Sequence, residues 1–447
     1  MLKRNISKYL SPVFETKTEA AEWFGYYNYS PLNSDNSKML CNKANTERSP
    51  RKGDVIELGY YDIPSGDWHH IGKTDSWNWQ QGAMMQWLPS SDGKEHQVIY
   101  NCSRDNHIIS KIFDIDTQET RELDWGIYGI TPDGKKSISL DLERSYYCRA
   151  YHYQSVANPA KEGRIVDGDG IYEIDLENNT RRLLIDIKTI VSLQPDSDFD
   201  KKKHWVEHIM INPSGTRFCF LHRFSPVDNV RQYQTRIFIA NIDGSHLQVI
   251  PGWDTFSWSH FGWNGDNGFS IYTYKKPSLY KKFGTPSTPA SSNKKKVTFK
   301  QRLRKFALNI KKRIPKSLLR RALTNNSYYQ YYSLNAEGVF ELSGSWKQLY
   351  FNIDGHPSFS SNQKYMLTDS YADDKGFRRY VIYNLQTQKG MIVAKMPENH
   401  QDRHVPCDLH PKLSKDNQFV MFDTTSQGKH SLLLLKLNWQ EIESKLS

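Results

Sequence analysis

The sequence predicts an all-β chain folded as a seven-bladed β-propeller. Three observations point there: a strand-turn-strand unit that recurs along the chain, a polar hairpin that follows nearly every copy, and a composition suited to short strands. Aromatics make up 13% of the 447 residues and hydrophobics only 37%, with 26 Gly and 19 Pro, which favours many strands and turns over long helices.

The unit reads as His, two residues, an apolar residue, Ser or Asn, then a turn and an apolar strand. It appears as "HIMINPSGTRFCF" from His208, "HFGWNGDNGFSIY" from His260, "HPSFSSNQKYML" from His356 and "HPKLSKDNQFVMF" from His410. Three earlier copies keep the apolar residue, turn and strand but lack the histidine: "YSPLNSDNSKML" from Tyr29, "MMQWLPSSDGKEHQVIY" from Met84 and "IYGITPDGKKSISL" from Ile127. Six of the seven are followed by a second hairpin with a polar turn, among them "DIPSGDW", "DLENNTRRL" and "NLQTQKGMIV". Four short antiparallel strands, A to D, repeated seven times are the signature of a propeller, whose closed ring leaves few exposed edges. Two β-sandwich domains are the competing arrangement, and the common hairpin spacing argues against them. The seventh unit stops after its third strand, so its outer strand must be donated, and "SPVFETKTEA" near the N-terminus is the expected donor. The expectation is a single domain over residues 1–447.

Blade 5 is interrupted between strands B and C by residues 281–326, a Pro- and Ser-containing linker followed by a basic segment. Lys294 to Arg321 holds thirteen Lys and Arg and no acid, leaving forty-seven bases against forty-nine acids elsewhere. The overall charge of +11 is therefore local, and nucleic acid is not an expected partner of the propeller. Phe299, Leu303, Phe306, Ile310 and Ile314 recur at helical spacing until Pro315, which predicts a basic amphipathic helix suited to an anionic membrane surface through residues 294–323. RNA or an acidic polymer is the rival partner, and a solvated lid the plain alternative. No apolar run is long enough to span a bilayer. The five cysteines are scattered without a CxxC pair, as suits a reducing compartment. The expected location is cytoplasmic, peripheral to the inner face of the membrane if the basic helix binds there.

In a propeller, equivalent positions at the start of each A strand converge on one mouth of the channel. His208, His260, His356 and His410 occupy that position in four consecutive blades. Converging imidazoles with a carboxylate form a first shell for zinc, manganese or iron, and Asp408, expected on the same strand face as His410, supplies the carboxylate. Taken alone, each histidine is a hydrogen-bonded channel residue; the set reads as a site. "SWNWQQG" offers Trp79, Gln80 and Gln81 for stacking on and hydrogen-bonding a sugar, with core packing of Trp77 and Trp79 the equal alternative. No GxSxG, Walker, GxGxxG or HExxH motif is present.

The "HPxxS" repeats at His356 and His410, with "HWVEHIMINPSGTRFCFLHR" and "DLHPKLSKDNQFVMFD", resemble the histidine-lined propellers of the oligogalacturonate lyases and, more distantly, the propeller-type ulvan lyases, within the wider group of TolB- and WD40-like repeats. That resemblance implies a cytoplasmic enzyme holding a divalent metal, manganese or zinc, that cleaves uronate oligomers by β-elimination. It places His356 and His410 on the metal, with Asp408 where a further ligand is expected; His260, from the converging set, is the fourth expected ligand. His208 or His260 is the implied base, Arg223 or the metal the carboxylate clamp, and Tyr128 the acid. The ulvan-lyase set of His, Tyr and Arg is loosely matched by Asn106 and His107 with Arg223, and His107 and Arg403 join the substrate-binding expectation. Implied partners are an acidic oligosaccharide or a lipid-linked glycan. The alternative class is a non-catalytic propeller that binds glycan or protein in envelope polysaccharide assembly.

Overall fold

The computed structural model describes residues 2–16, 20–148, 156, 158–196, 198–275, 327–399, 405 and 407–447. Seven antiparallel sheets follow one another along the chain and form the ring. Blade 1 is Ala21–Trp23, Lys38–Ala44, Ile56–Asp62 and Trp68–Thr74. Blade 2 comprises Gln86–Leu88, Gln97–Arg104, His107–Asp114 and Thr120–Leu123; blade 3 Gly129–Ile130, Lys136–Leu140, Gly170–Asp175 and Thr180–Asp186. Blade 4 runs through Lys202–Ile211, Arg217–Pro226, Gln234–Asn241 and Gln248–Val249, and blade 5 through Phe256–Asn264, Gly268–Lys275, Ser327–Leu334 and Phe340–Trp346. Blade 6 holds Pro357–Phe359, Tyr365–Asp369, Phe377–Asn384 and Gly390–Pro397, edged by a fifth strand, Asn5–Ile6.

Blade 7 takes its first three strands from Lys412–Leu413, Phe419–Thr424 and Ser431–Leu437 and its outer strand from Leu10–Glu15. The N-terminal segment thus closes the ring, in the register Leu10 to Leu437 through Glu15 to Leu433, as the missing fourth strand requires. The insertion expected in blade 5, residues 281–326 with its basic helix over 294–323, lies outside the described residues, as does Arg403.

Each blade packs against two neighbours, so the middle strands bury both faces and lose the polar alternation of an open sheet. Phe218, Cys219, Phe220 and Leu221 are consecutive and all buried, as are Leu432 to Leu435. At roughly 2 kcal/mol per fully buried leucine side chain, these runs hold adjacent blades together. A short C-terminal helix, Trp439–Leu446, capped by the Asn438 side chain, sets Ile442 and Leu446 into the core between blades 6 and 7. The five cysteines are buried and unbridged.

The blades are also clasped by side chains at one repeated position on strand B. Asn42 Oδ1 accepts from the Ala83 amide at 3.3 Å and Asn101 Oδ1 from Ile127 at 2.8 Å. Asp369 accepts from the His410 amide at 3.2 Å and Asp423 from Phe24 at 2.7 Å. Each bond joins a blade to the next one round the ring and satisfies a buried backbone donor where strand pairing lapses.

Candidate metal and acid-base site

The inner strands bend where the histidines sit. In blade 4 the pairing shifts between Glu207 and Met210, and in blade 5 between Trp258 and Phe261, so that one extra residue bulges toward the channel in each. Such bulges re-aim side chains, here His208 and His260. His208 and His410 adopt the left-handed backbone, with φ of 52° and 44°, a cost that a packed site can hold in place. Asp408 and His410 therefore do not alternate along a strand as expected from their spacing: the turn at His410 breaks the alternation, and strand A of blade 7 begins only at Lys412. Asp408 reaches the site nonetheless, with Oδ2 3.9 Å from His410 Nε2.

The four histidines converge. The His260 and His356 ring centres are 3.9 Å apart, and those of His356 and His410 4.3 Å. His208 joins them through Tyr26, whose ring stacks on His208 at 4.8 Å and meets His410 edge-on at 5.3 Å. The next residue, Tyr27, packs on His356 at 5.0 Å. Both tyrosines come from blade 1, where the chain leaves the sheet after Trp23 and rejoins it at Leu32, crossing the channel to blades 4 to 7. Tyr27 is anchored in blade 5, donating to the Phe261 carbonyl at 2.6 Å and accepting from the Phe261 amide at 3.2 Å.

His356 Nδ1 donates to Asp369 at 2.9 Å and His410 Nδ1 donates to the Gly25 carbonyl at 2.9 Å. Each Nδ1–H is thereby spent, and each Nε2 is left as a buried lone pair without a hydrogen-bond partner among the described residues. With Asp408, these rings bring ligand atoms within 4.8 Å of one another. Two imidazoles with orphaned Nε2 atoms and one carboxylate fit a divalent transition ion. Burial, with the neighbouring His356 ring, Lys412 and His260, pushes the His410 pKa well down, which keeps its lone pair free.

Asp408 is held by Arg378, whose Nη1 donates to Oδ1 at 2.8 Å while Nη2 reaches Glu398 at 2.8 Å. Asp369 is buried, and burial alone would raise its pKa; the His356 ring and its hydrogen bonds, with Arg378, outweigh that and hold the carboxyl below its ordinary value. His260, expected among the ligands, stands outside the compact donor set: its Nδ1 turns to Asp354 at 3.1 Å. Burial opposes a charge there, but Asp354, Asp408 and Asp369 prevail and raise its pKa.

A cavity of about 250 Å³ opens beside these rings, with His208, Arg223, His260, Tyr26, Gln80 and Tyr371 in its wall. Glu207 lies behind it, receiving the Trp205 indole N–H at 2.5 Å and standing 2.8 Å from Arg223 and 3.4 Å from His208. On the other side of His208, Nδ1 is 3.4 Å from the Tyr128 hydroxyl, which accepts from Gln81 at 2.8 Å. His208, Arg223, Tyr128, Gln80 and Gln81 are thus gathered round one cavity, with Tyr128 and Gln81 behind its wall.

Two expected sugar contacts stand outside that cavity. Trp79 packs 4.4 Å from the Trp23 ring and gives its indole N–H to the Arg48 carbonyl at 2.8 Å; it borders a gap of about 10 Å³ beside Gln80, Asp408 and His410, too small for a sugar. His107 is exposed and pairs with Glu143 at 2.9 Å in a separate groove between blades 2 and 3, since it starts strand C, away from the channel. Sequence reasoning missed Tyr26, Tyr27, Asp354, Asp369, Tyr371 and Arg378. A signal for Asp369 was present: Asn or Asp falls thirteen residues after Tyr29, His356 and His410.

No family model matches the chain, and neither does any curated protein. Among solved structures, it is similar to an oligogalacturonate lyase from Vibrio parahaemolyticus, at 12% identity and TM-score 0.58, over 97% of this chain and 96% of that one. An oligogalacturonate lyase in complex with manganese gives 14% identity, TM-score 0.57 and 98% of both chains. A hydrazine synthase from Kuenenia stuttgartiensis gives 10% identity and TM-score 0.50, over 95% and 97%. At such identities the likeness is one of fold: over almost its whole length the chain shares the seven-bladed propeller of the oligogalacturonate lyases.

Proposed function

We propose that the protein is a metal-dependent lyase that cleaves uronate-containing oligosaccharides by β-elimination. The observation that carries this reading is the pair of orphaned Nε2 atoms on His356 and His410, facing Asp408, beside a cavity walled by His208 and Arg223. The shared fold with a lyase that binds manganese supports it.

Arg223 binds the uronate carboxylate. Its guanidinium stacks on Tyr233, 4.3 Å from the ring centre, and opens on the cavity. His208 removes the proton α to that carboxylate. Glu207 stabilises the imidazolium that forms, and Tyr128, steadied by Gln81, orients the ring. The carbon–oxygen bond at the β position then breaks as the new double bond forms. Tyr26 lines the cavity against His208 and gives the leaving oxygen its proton in place of Tyr128, which stands behind the wall. His356, His410 and Asp408 would hold manganese or zinc. The bound ion supplies positive charge that lowers the energy of the enolate-like intermediate.

Screening uronic oligosaccharides for the absorbance of an unsaturated product, with elemental analysis of the purified protein, tests the reading. Product and bound metal are expected in the wild type, with both lost in His356→Ala and His410→Ala. A metal-free, inactive wild type would refute it. As to partners, an acidic oligosaccharide or lipid-linked glycan fits the Arg223 guanidinium at the cavity, and residues 294–323 are proposed to bind an anionic membrane. Co-sedimentation with anionic liposomes should fall when that segment is deleted. Among the described residues no helix is long and apolar enough to cross a membrane.

A further inference from the structure

Asp369 lies at the end of strand B in blade 6 and is buried to 2% exposure. Its carboxylate receives three N–H groups: the His356 amide at 2.7 Å, His356 Nδ1 at 2.9 Å and the His410 amide at 3.2 Å. The same repeat position carries Asn42 and Asn101 in blades 1 and 2, where one amide oxygen suffices for one backbone donor. Beside it, Gly355 lies so close to the Asp369 carbonyl that an added Cβ would stand 1.9 Å from the oxygen. The backbone before His356 is thus pressed against strand B, which puts the imidazole within reach of the carboxylate.

We infer that Asp369 is the positioning residue of the metal site: one buried carboxylate fixes the ring of His356 and the backbone of His410, so that both Nε2 atoms face the ion. This deepens the proposed function and rests on its reading of the two rings as ligands. The requirement is for a carboxylate and not an amide. Both oxygens of Asp369 accept, whereas an asparagine would offer one acceptor and turn an NH₂ toward a donor. With its oxygen in the Oδ1 place the amide still serves both His356 donors but sets its NH₂ against the His410 amide, which has no other tautomer, so the left-handed backbone of His410 loses its tie. With its oxygen in the Oδ2 place the clash falls on His356, whose ring proton then moves to Nε2. The constraint on His410 is complementary. Its ring proton goes to Gly25, and its left-handed backbone is held by the bond from its amide to Asp369.

The test is Asp369→Asn, read in two ways. Imidazole ¹⁵N shifts of the metal-free protein report which ring nitrogen carries the proton; calorimetric titration with Mn²⁺ reports affinity. His356 should be protonated at Nδ1 in the wild type, and in the variant either its ring proton moves to Nε2 or the His410 backbone amide shift reports the lost bond, with Mn²⁺ affinity falling about 10- to 100-fold. Asn101→Ala, which breaks the same clasp away from the histidines, should lower thermal stability and leave Mn²⁺ affinity unchanged. Wild-type His356 protonated at Nε2 would overturn the inference, and that measurement stands even where Asp369→Asn does not fold. So would a variant with unaltered tautomer and affinity, or an equal loss of affinity in Asn101→Ala. A wild type that binds no Mn²⁺ or Zn²⁺ would instead sink the proposed function, while the ring shifts still decide the role of Asp369.

Discussion

Two buried histidines in blade 4 contribute stability that acid removes between about pH 6.5 and 4. Arg236 Nε donates to His222 Nδ1 at 3.0 Å, leaving His222 Nε2 to donate to His204 Nδ1 at 3.0 Å, and His204 Nε2 to donate to the Phe199 carbonyl at 2.8 Å. Every ring nitrogen is used once, as donor or acceptor, so both rings must be neutral. A proton added to either would set two N–H groups against each other. Burial, then the nearby charge of Arg236, lowers the His204 pKa to about 4, and burial with Arg236 pushes His222 well down. In the unfolded chain both would titrate near 6.5. Between these values the unfolded state binds protons that the folded state refuses, so stability falls as pH drops from about 6.5 to about 4. For His204 alone that difference is worth about 3 kcal/mol. Urea unfolding followed by tryptophan fluorescence from pH 7 to 4.5 should show the midpoint falling more steeply in the wild type than in His204→Gln, while Asp169, whose carboxyl burial and Asp141 raise to about 7, pulls the other way in both. His204→Gln should be less stable at pH 7 and show a shallower slope. Parallel curves for variant and wild type would refute the neutral chain.

Two further substitutions probe the site's supports. Gly25→Ala would place a Cβ 2.6 Å from the Gln81 carbonyl oxygen at a φ of 136°; the backbone must shift, His410 loses its acceptor, and a destabilisation of about 2–4 kcal/mol is expected in thermal melts, together with weaker Mn²⁺ binding. Arg378→Leu removes the cation between Asp408 and Glu398 and should cost about 3–5 kcal/mol by calorimetry, because it leaves Asp408 buried without its counter-charge.

The propeller was legible because its turns repeat: the same polar pairs close hairpins at corresponding places, and backbone twist allows few residues there. The convergence of His208, His260, His356 and His410 followed from that register alone. The excursion of Phe24 to Pro31 did not, since it occurs once and has no period; a loop that leaves an inner strand and returns looks like any other polar connection. Trp79 was ambiguous for a chemical reason, as an indole serves a core and a sugar platform equally well. His107 was misplaced because its support came from resemblance, with no position in the repeat to anchor it. Asp369 went unread although its spacing recurs, because an Asn or Asp near a strand end has ordinary roles in turns.

The segment that closes the ring also completes the site. Leu10–Glu15 pairs as the last strand of blade 7, Ala21–Trp23 starts blade 1, and the next residues bring the Gly25 carbonyl to His410 and the Tyr26 and Tyr27 rings against the other histidines. The Phe24 amide is tied back to Asp423 of blade 7 at 2.7 Å, so the channel loop and the closing strand are fastened to the same blade. A ligand on His410 Nε2 requires Nδ1 to keep its proton, and that proton is held by Gly25. Binding at the histidines and closure of the propeller therefore favour each other, in proportion to the ligand's preference for the closed ring. A ring fastened by one short strand gains from this arrangement, because occupation of its centre draws tight the segment on which its seam depends.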